Sequence, residues 1–373
     1  MNGKPHYQTL DGLRGVAALS VFAFHLFELV FLKPGENPLP RAYLAVDFFF
    51  CLSGFVIGYA YDGRLGCAAP PGRRLGFGGY VVRRLIRLQP LVVIGTLLGA
   101  IGYLANPFVG DAQQLGTSVG YGLFAANLLL ALFLIPAPAL PNMWGMTHSL
   151  NGPAWSLFQE YLLNLAYAAV GHRVGRGWLA AIAAMAVAGL LWMALSLDSM
   201  NAGAAWRDWW GAPIRVIASF TLGLLIHRLR LKIAVPAAFP LLSAALIALF
   251  AVPLVKGWSG LIDWLCVVVA FPLVIMIGAG DRSTTRLAGI GGRLSYPLYM
   301  LHYPFVLFFA HWNWSAKPGP VLMGSVMAAT IAAAVGLAWA VLVWIDEPVR
   351  AWLSARAERR QSVRAVAAET ALL

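Results

Sequence analysis

A histidine inside the first apolar stretch of the chain is the residue best placed to do chemistry. His25 lies about thirteen residues into that stretch, and Arg14 precedes it by eleven residues. Eleven helical steps of about 100° bring both side chains to nearly one helix face, about 16 Å apart. Such a pair could contact the two ends of one elongated ligand. Glu28, one turn after His25, could orient the imidazole or raise its basicity. Alternatively, His25 only hydrogen-bonds between helices and Arg14 only sets topology.

Two carboxylates also lie inside apolar stretches, where ionisable groups are costly and are usually functional or paired. Asp47 lies a few residues into the second stretch, at a depth comparable to that of His25, and could fix the tautomer of a histidine. It could instead be a helix-start carboxylate at the membrane interface. Ser53 precedes Gly54, a pair that favours close helix approach. Glu160, in the fourth stretch, could bind a substrate hydroxyl or pair with a basic group.

Four further side chains could support a site. Trp155 and Ser156 begin the fourth stretch, although Trp155 could equally be an aromatic anchor at the interface. Tyr299 and His302 lie one turn apart in the ninth stretch, and we interpret His302 as structural rather than as a second functional histidine.

Three arginines precede the third apolar stretch. Guanidinium groups bind phosphate through paired donors, and Arg83 and Arg87 share a helix face from which Arg84 is offset. Arg83, Arg84 and Arg87 could therefore bind a phosphorylated ligand, or they could simply hold lipid head groups. The three cysteines lack metal-ligand spacing, so we expect no metal site.

Composition indicates that these residues are positioned by membrane-spanning helices. Sixty per cent of the 373 residues are apolar and only 11% are charged, against about 25% charged residues in soluble domains. Apolar stretches of about 20 residues, long enough to cross a bilayer as helices, recur throughout. The net charge of +12 comes from basic residues in short loops, with no nucleic-acid-binding motif. The sequence predicts an all-α polytopic bundle in contact with lipid and not with nucleic acid.

The predicted bundle has about ten spans, and an eleventh apolar segment, 117–136, is ambiguous. The ten spans are placed at 12–32, 42–61, 88–108, 153–171, 177–197, 211–227, 233–255, 261–279, 295–312 and 321–345. Ten spans put most of the 27 Lys and Arg residues on the cytoplasmic side, whereas a crossing by 117–136 reverses the balance. We therefore predict both termini in the cytoplasm, a plasma-membrane location, and a re-entrant or interfacial 117–136.

We expect one transmembrane domain over 1–345, followed by a basic tail over 346–373. The tail has helical periodicity and is expected to lie on the inner membrane surface.

In order along the chain, these residues resemble the acyltransferase-3 family of integral membrane O-acyltransferases. The resemblance covers most of the chain and rests on Arg14 and His25 in an Arg-x10-His element, Asp47 to Phe55, Arg83 to Pro90, Trp155 to Glu160, Ser295 to His302, and Glu347-Pro348. One departure is that Pro153-Ala154 stands where many members have His-Thr. His148 is nearby but out of register.

The resemblance implies an acyl donor such as acetyl-CoA, used as a co-substrate from the cytoplasm, and a hydroxyl acceptor, often an envelope sugar. It also implies that His25 is essential and that Arg14 and the arginine motif contact the donor. Asp47 and Glu160 are further catalytic candidates. His25 could act as a general base or could carry the acyl group transiently.

Two other functions are compatible with buried ionisable residues. A proton-coupled transporter or lipid-linked-sugar permease could use His25, Asp47 and Glu160 as a proton relay. Transporters often contain internally repeated broken helices, and we find no internal repeat. A silent membrane scaffold is the weaker alternative, because its buried charges would be costly without a use.

Overall fold

Helices make up nearly all of the regular structure. The computed structural model describes residues 7–33, 35–65 and 75–370, with the side chains of 111, 112 and 360–370 excepted. Within those ranges the α-helices are α1 Gln8–Glu28, α2 Ala45–Tyr61, α3 Phe77–Leu104, α4 Tyr121–Leu132, α5 Ala154–Ala169, α6 Arg176–Leu197, α7 Gly211–Arg228, α8 Ala238–Ala251, α9 Ser259–Leu265, α10 Phe271–Gly280, α11 Arg286–Leu301, α12 Tyr303–Ala316, α13 Pro320–Val341 and α14 Glu347–Thr370.

Six helical segments in this part of the chain are long and apolar enough to cross a membrane. They are Gln8–Glu28, Ala42–Tyr61, Phe77–Leu104, Arg176–Leu197, Ser259–Gly280 and Pro320–Arg359. The predicted all-α membrane class is confirmed by these segments. The count of ten spans stays a prediction, because the remaining helices are shorter or less apolar.

The ambiguous segment 117–136 forms only a short helix. α4 has 12 residues, which gives a length of about 18 Å against a hydrocarbon core of about 30 Å. It therefore cannot cross a bilayer as a helix. α8 is also shorter than the predicted span 233–255, with 14 residues.

Prolines explain two further differences from the predicted spans. The ninth predicted span, 295–312, is two helices that meet at His302, because Pro304 has no N–H to donate to the carbonyl of Met300. Asn151 Nδ2 donates to that carbonyl instead, at 3.0 Å. α9 and α10 are joined by a π-helical turn, Cys266–Ala270, just before Pro272.

Two pairs of helices form the most extensive contacts of the bundle. α2 packs on α7 where Gly54 meets the backbone of Phe220, and a Cβ at Gly54 would lie 2.0 Å from that carbonyl oxygen. α1 packs on α11 in the same way, at Gly15 and Gly291. The expectation that Gly54 allows close helix approach is confirmed.

We call the end of the bundle at which α3 begins the arginine end, and the opposite end the histidine end. α3 begins at Phe77, eleven residues before the predicted span, so the arginine cluster lies within the helix. α13 runs towards the arginine end and continues through a π-helical turn, Leu342–Asp346, into α14. The tail is therefore helical as predicted, and α14 packs against α3. Residues 371–373 of the predicted tail lie outside the described ranges.

Candidate active site

His25 lies near the histidine end of α1 and is held by Glu28. The distance from His25 Nδ1 to Glu28 Oε1 is 2.6 Å, as the spacing of one helical turn predicts. A carboxylate accepts, so Nδ1 of the neutral ring carries the proton and Nε2 keeps its lone pair. This arrangement leaves Nε2 as the ring atom able to take a proton.

His302 lies directly against the ring of His25. The two ring centroids are 5.6 Å apart and the ring planes differ by 18°. His302 is fully buried, and its Nδ1 donates to the carbonyls of Leu298 and Tyr299, both at 3.0 Å. Its buried Nε2 has no partner among the described residues. His302 therefore packs against the ring of His25 at the joint between α11 and α12.

Asp47 pairs with an arginine and not with His25. Arg215 donates to both carboxylate oxygens of Asp47, at 3.2 and 2.6 Å, and both side chains are buried. The guanidinium group also lies 5.3 Å from the ring centroid of Trp155. The expectation that Asp47 fixes the histidine tautomer is not what the structure shows, because Glu28 holds Nδ1. Arg215 was not among the predicted site residues, although its place inside a predicted span, 211–227, marks it as a costly buried charge.

Glu160 joins residues from three of the sequence motifs. It accepts a hydrogen bond from Ser53 Oγ at 2.7 Å and one from Arg84 at 3.0 Å. The side chain of Arg84 is buried, and its guanidinium group forms an ion pair with this carboxylate. Glu160 therefore lies beside the arginine cluster, in a different cavity from His25. Its ion pair with Arg84 holds it there.

Arg14 is also held by the protein. Its guanidinium group donates to Ser295 Oγ at 2.7 Å and to the carbonyl of Gly292 at 2.9 Å, and it pairs with Asp11. Arg83 and Arg87 differ, because neither has a hydrogen-bond or ion-pair partner among the described residues. These two guanidinium groups are the ones left available to a ligand.

Three cavities that share lining residues lie between the arginines and His25. An arginine-end cavity lies between α3 and α14 and is lined by Arg83, Arg87 and Arg350. A central cavity includes Arg87 in its lining as well. Its other polar lining residues are Arg14, Ser53, Arg84, Ser156, Glu160, Ser295, Tyr296 and Tyr299.

The third cavity, at the histidine end, shares Val46 and Tyr299 with the central cavity. It contains His25, Glu28 and Trp155 together with residues of the adjoining loops. Tyr299 is fixed at the boundary by a hydrogen bond of 2.6 Å between its hydroxyl group and Ser156 Oγ. Most of the predicted site residues therefore line one of three neighbouring cavities.

His148, the histidine out of register with the family pattern, is structural. It lies in the loop between α4 and α5, with Nε2 3.0 Å from the carbonyl of Leu134 and Nδ1 3.0 Å from Thr147 Oγ1. Burial lowers the pKa of His148 to about 4, so the ring is neutral at pH 7. It does not line the histidine-end cavity.

No group of three or more His, Cys, Asp or Glu residues in the described ranges could hold a metal ion. A single sequence profile, described as an acyltransferase domain, matches residues 7–345 of the chain. This chain belongs to that acyltransferase family. The match confirms the resemblance found in the sequence, and it favours an enzyme over a transporter or scaffold.

Two named relatives agree in part with this assignment. The chain is 36% identical over 169 residues to "Protein 2 in picA locus" of Rhizobium radiobacter, covering 44% of this chain and 82% of the relative. It is 27% identical over 240 residues to "Acyltransferase MdmB" of Streptomyces mycarofaciens, covering 58% of this chain and 56% of the relative. No solved structure matches the chain.

Proposed function

We propose that this membrane acyltransferase moves an acyl group, in the simplest case acetyl, from acyl-CoA to a hydroxyl group at the histidine end. The observation that carries the proposal is the series of three cavities, each sharing lining residues with the next, from Arg83 and Arg87 to His25. Such a series suits a donor with a phosphorylated head and a long arm that carries the thioester.

The donor's phosphates belong at the arginine end. Arg83 and Arg87 line that cavity without partners, and guanidinium groups bind phosphate oxygens through paired N–H donors. Arg14 and Arg84 are already held by protein groups, so they line the passage of the arm instead of holding phosphate. The polar groups of the central cavity match the amides of a pantetheine arm.

His25 acts as a general base in this proposal. Nε2 takes the proton from the acceptor hydroxyl group as its oxygen attacks the thioester carbonyl. The tetrahedral intermediate collapses, the C–S bond breaks, and the thiolate leaves and takes the proton back from the imidazolium. Glu28 stabilises the positive ring during these steps, because its carboxylate contacts Nδ1.

The histidine-end cavity suits a carbohydrate acceptor. Trp144 and Trp155 contribute aromatic side chains to its lining, while Asn201 and Asp208 contribute polar groups that could bind sugar hydroxyls. Mixed aromatic and polar linings of this kind fix the orientation of small polar ligands. With the arginine end in the cytoplasm, the acceptor would be an envelope carbohydrate on the opposite face of the plasma membrane.

The first prediction tests the role of His25. Purified His25→Gln should lose at least about 100-fold in the rate of thiol release from acetyl-CoA with an acceptor, the usual scale for a lost general base. Acceptors are chosen from envelope glycans that lose acyl increments when the gene is deleted, as measured by mass spectrometry. His172→Ala, a change at the arginine end and outside the three cavities, should retain wild-type activity.

Full activity of His25→Gln would refute the assignment of the base. Acetyl-CoA supplied without acceptor gives a second test. A general-base mechanism predicts no stoichiometric burst of thiol and no acylated His25 by mass spectrometry, whereas an acyl-histidine intermediate predicts both.

A further inference from the structure

One wall of the arginine-end cavity is formed by residues that follow both the matched segment and the Glu347-Pro348 motif. The family match ends at residue 345, and α14 begins at Glu347. Arg350, Ser354, Ala357 and Glu358 all line the cavity from α14. Their spacing of four, seven and eight residues from Arg350 defines one helix face. α14 therefore presents a continuous face to the cavity opposite the arginines of α3.

This wall supplies a third guanidinium group to the cavity. Arg350 donates to Asp346 Oδ2 at 2.8 Å, through one terminal nitrogen, and its side chain remains about one third exposed. Its Nε has no partner among the described residues. Asp346 thus anchors one edge of the guanidinium group and leaves further N–H donors unused.

The cavity carries an excess of positive charge. Arg83, Arg87 and Arg350 line it from two helices, and Glu358 is the acidic residue among the lining groups. Like charges on facing helices repel each other unless an anion lies between them. A cluster of arginines from two directions is suited to a multiply charged phosphate group, since each planar fork can bind two oxygens.

We propose that α14 completes the donor site, and that Arg350 binds a phosphate of the nucleotide part of acyl-CoA together with Arg83 and Arg87. The proposal rests on the function proposed above and extends it to a residue outside the shared acyltransferase segment. The phosphate of an anionic lipid head group has the same chemistry, so the experiment separates the two sources.

The test compares two donors in the full-length enzyme in phosphatidylcholine nanodiscs. One donor is acetyl-CoA, and the other is S-acetyl-pantetheine, which has the same arm but no nucleotide or phosphate. Arg350→Gln should raise KM for acetyl-CoA about tenfold, as the loss of a charge-assisted hydrogen bond implies. Its kcat, and its KM for acetyl-pantetheine, should stay at the wild-type values.

Two variants serve as controls. Arg356→Gln changes an exposed arginine of α14 that lies over Trp352 and does not line the cavity, so both KM values should be unchanged. Arg350→Lys keeps the charge without the planar fork, and should give a KM for acetyl-CoA between those of the wild type and Arg350→Gln. It also covers the case in which Arg350→Gln does not fold.

Three results would overturn the proposal. The first is an unchanged KM for acetyl-CoA in both Arg350 variants, and the second is an equal rise of KM for both donors. The third is a rise seen only when phosphatidylglycerol is added, which would assign the site to lipid head groups. Wild-type enzyme that never consumes acetyl-CoA would instead contradict the proposed function itself.

Discussion

The side chains around His25 show which partners a helix determines by itself. Arg14, His25 and Glu28 lie on one helix, and the contact between His25 and Glu28 follows from a spacing of three residues. Asp47 and Glu160 have their partners on other helices. Sequence spacing does not specify which helices pack together, so Arg215 as the partner of Asp47 and Arg84 as the partner of Glu160 could not be predicted.

At this scale, the charge of Glu28 should matter more than its shape. Glu28→Gln keeps a hydrogen-bond acceptor for His25 Nδ1 but removes the negative charge that stabilises the imidazolium formed during transfer. We expect kcat to fall about tenfold or more, with KM for acetyl-CoA unchanged, measured by thiol release. Glu36→Gln, in the loop after α1, is the matched control, and wild-type kcat in Glu28→Gln would contradict the role given to the charge.

The helices themselves were predicted better than their ends and their breaks. Apolar stretches located most of them, because hydrophobic length is what a bilayer requires. The break at His302 depends on Pro304 and on Asn151, which satisfies the freed carbonyl from a distant loop. The early start of α3 was missed because its first turns carry the arginines and so do not register as apolar. α14 was predicted as a surface helix, and its packing against α3 was not anticipated.

Close packing of α2 on α7 gives a prediction at the scale of elements. A methyl group at Gly54 would lie 2.0 Å from the carbonyl oxygen of Phe220, so Gly54→Ala must push the two helices apart. Overpacking of this kind costs about 1–3 kcal/mol, and we expect a lower melting temperature and yield in detergent. Gly324→Ala, where nothing lies within 4 Å of the added atom, should leave both unchanged. An unaltered melting temperature in Gly54→Ala would contradict the packing.

For the molecule as a whole, the orientation in the membrane decides which substrate meets which end. The positive-inside rule predicts that the arginine end lies in the cytoplasm. Arg282 lies between α10 and α11 at that end, whereas Lys317 follows α12 at the histidine end, and both are exposed. Cysteines introduced into these two loops can therefore test which end of the bundle lies on which face of the membrane.

In a chain with Cys67 replaced by Ser, Lys317→Cys should react with an impermeant thiol reagent in intact cells. Arg282→Cys should react only after the membrane is opened. Cys51 and Cys266 are buried and so give a low background. The reverse labelling pattern would place the arginine end outside and remove the cytoplasmic donor from the mechanism.

The hydrogen bond between Tyr299 and Ser156 has a consequence for the cell's ion gradients. A bilayer that stores a proton gradient tolerates no continuous water column, yet this enzyme has openings towards both of its ends. Tyr299 lies in the wall shared by the central and histidine-end cavities, packed against the ring of Phe49, whose centroid is 5.5 Å away. The thioester arm of the donor would therefore have to fit tightly past Tyr299. Such a fit lets acyl transfer proceed without a leak of protons across the membrane.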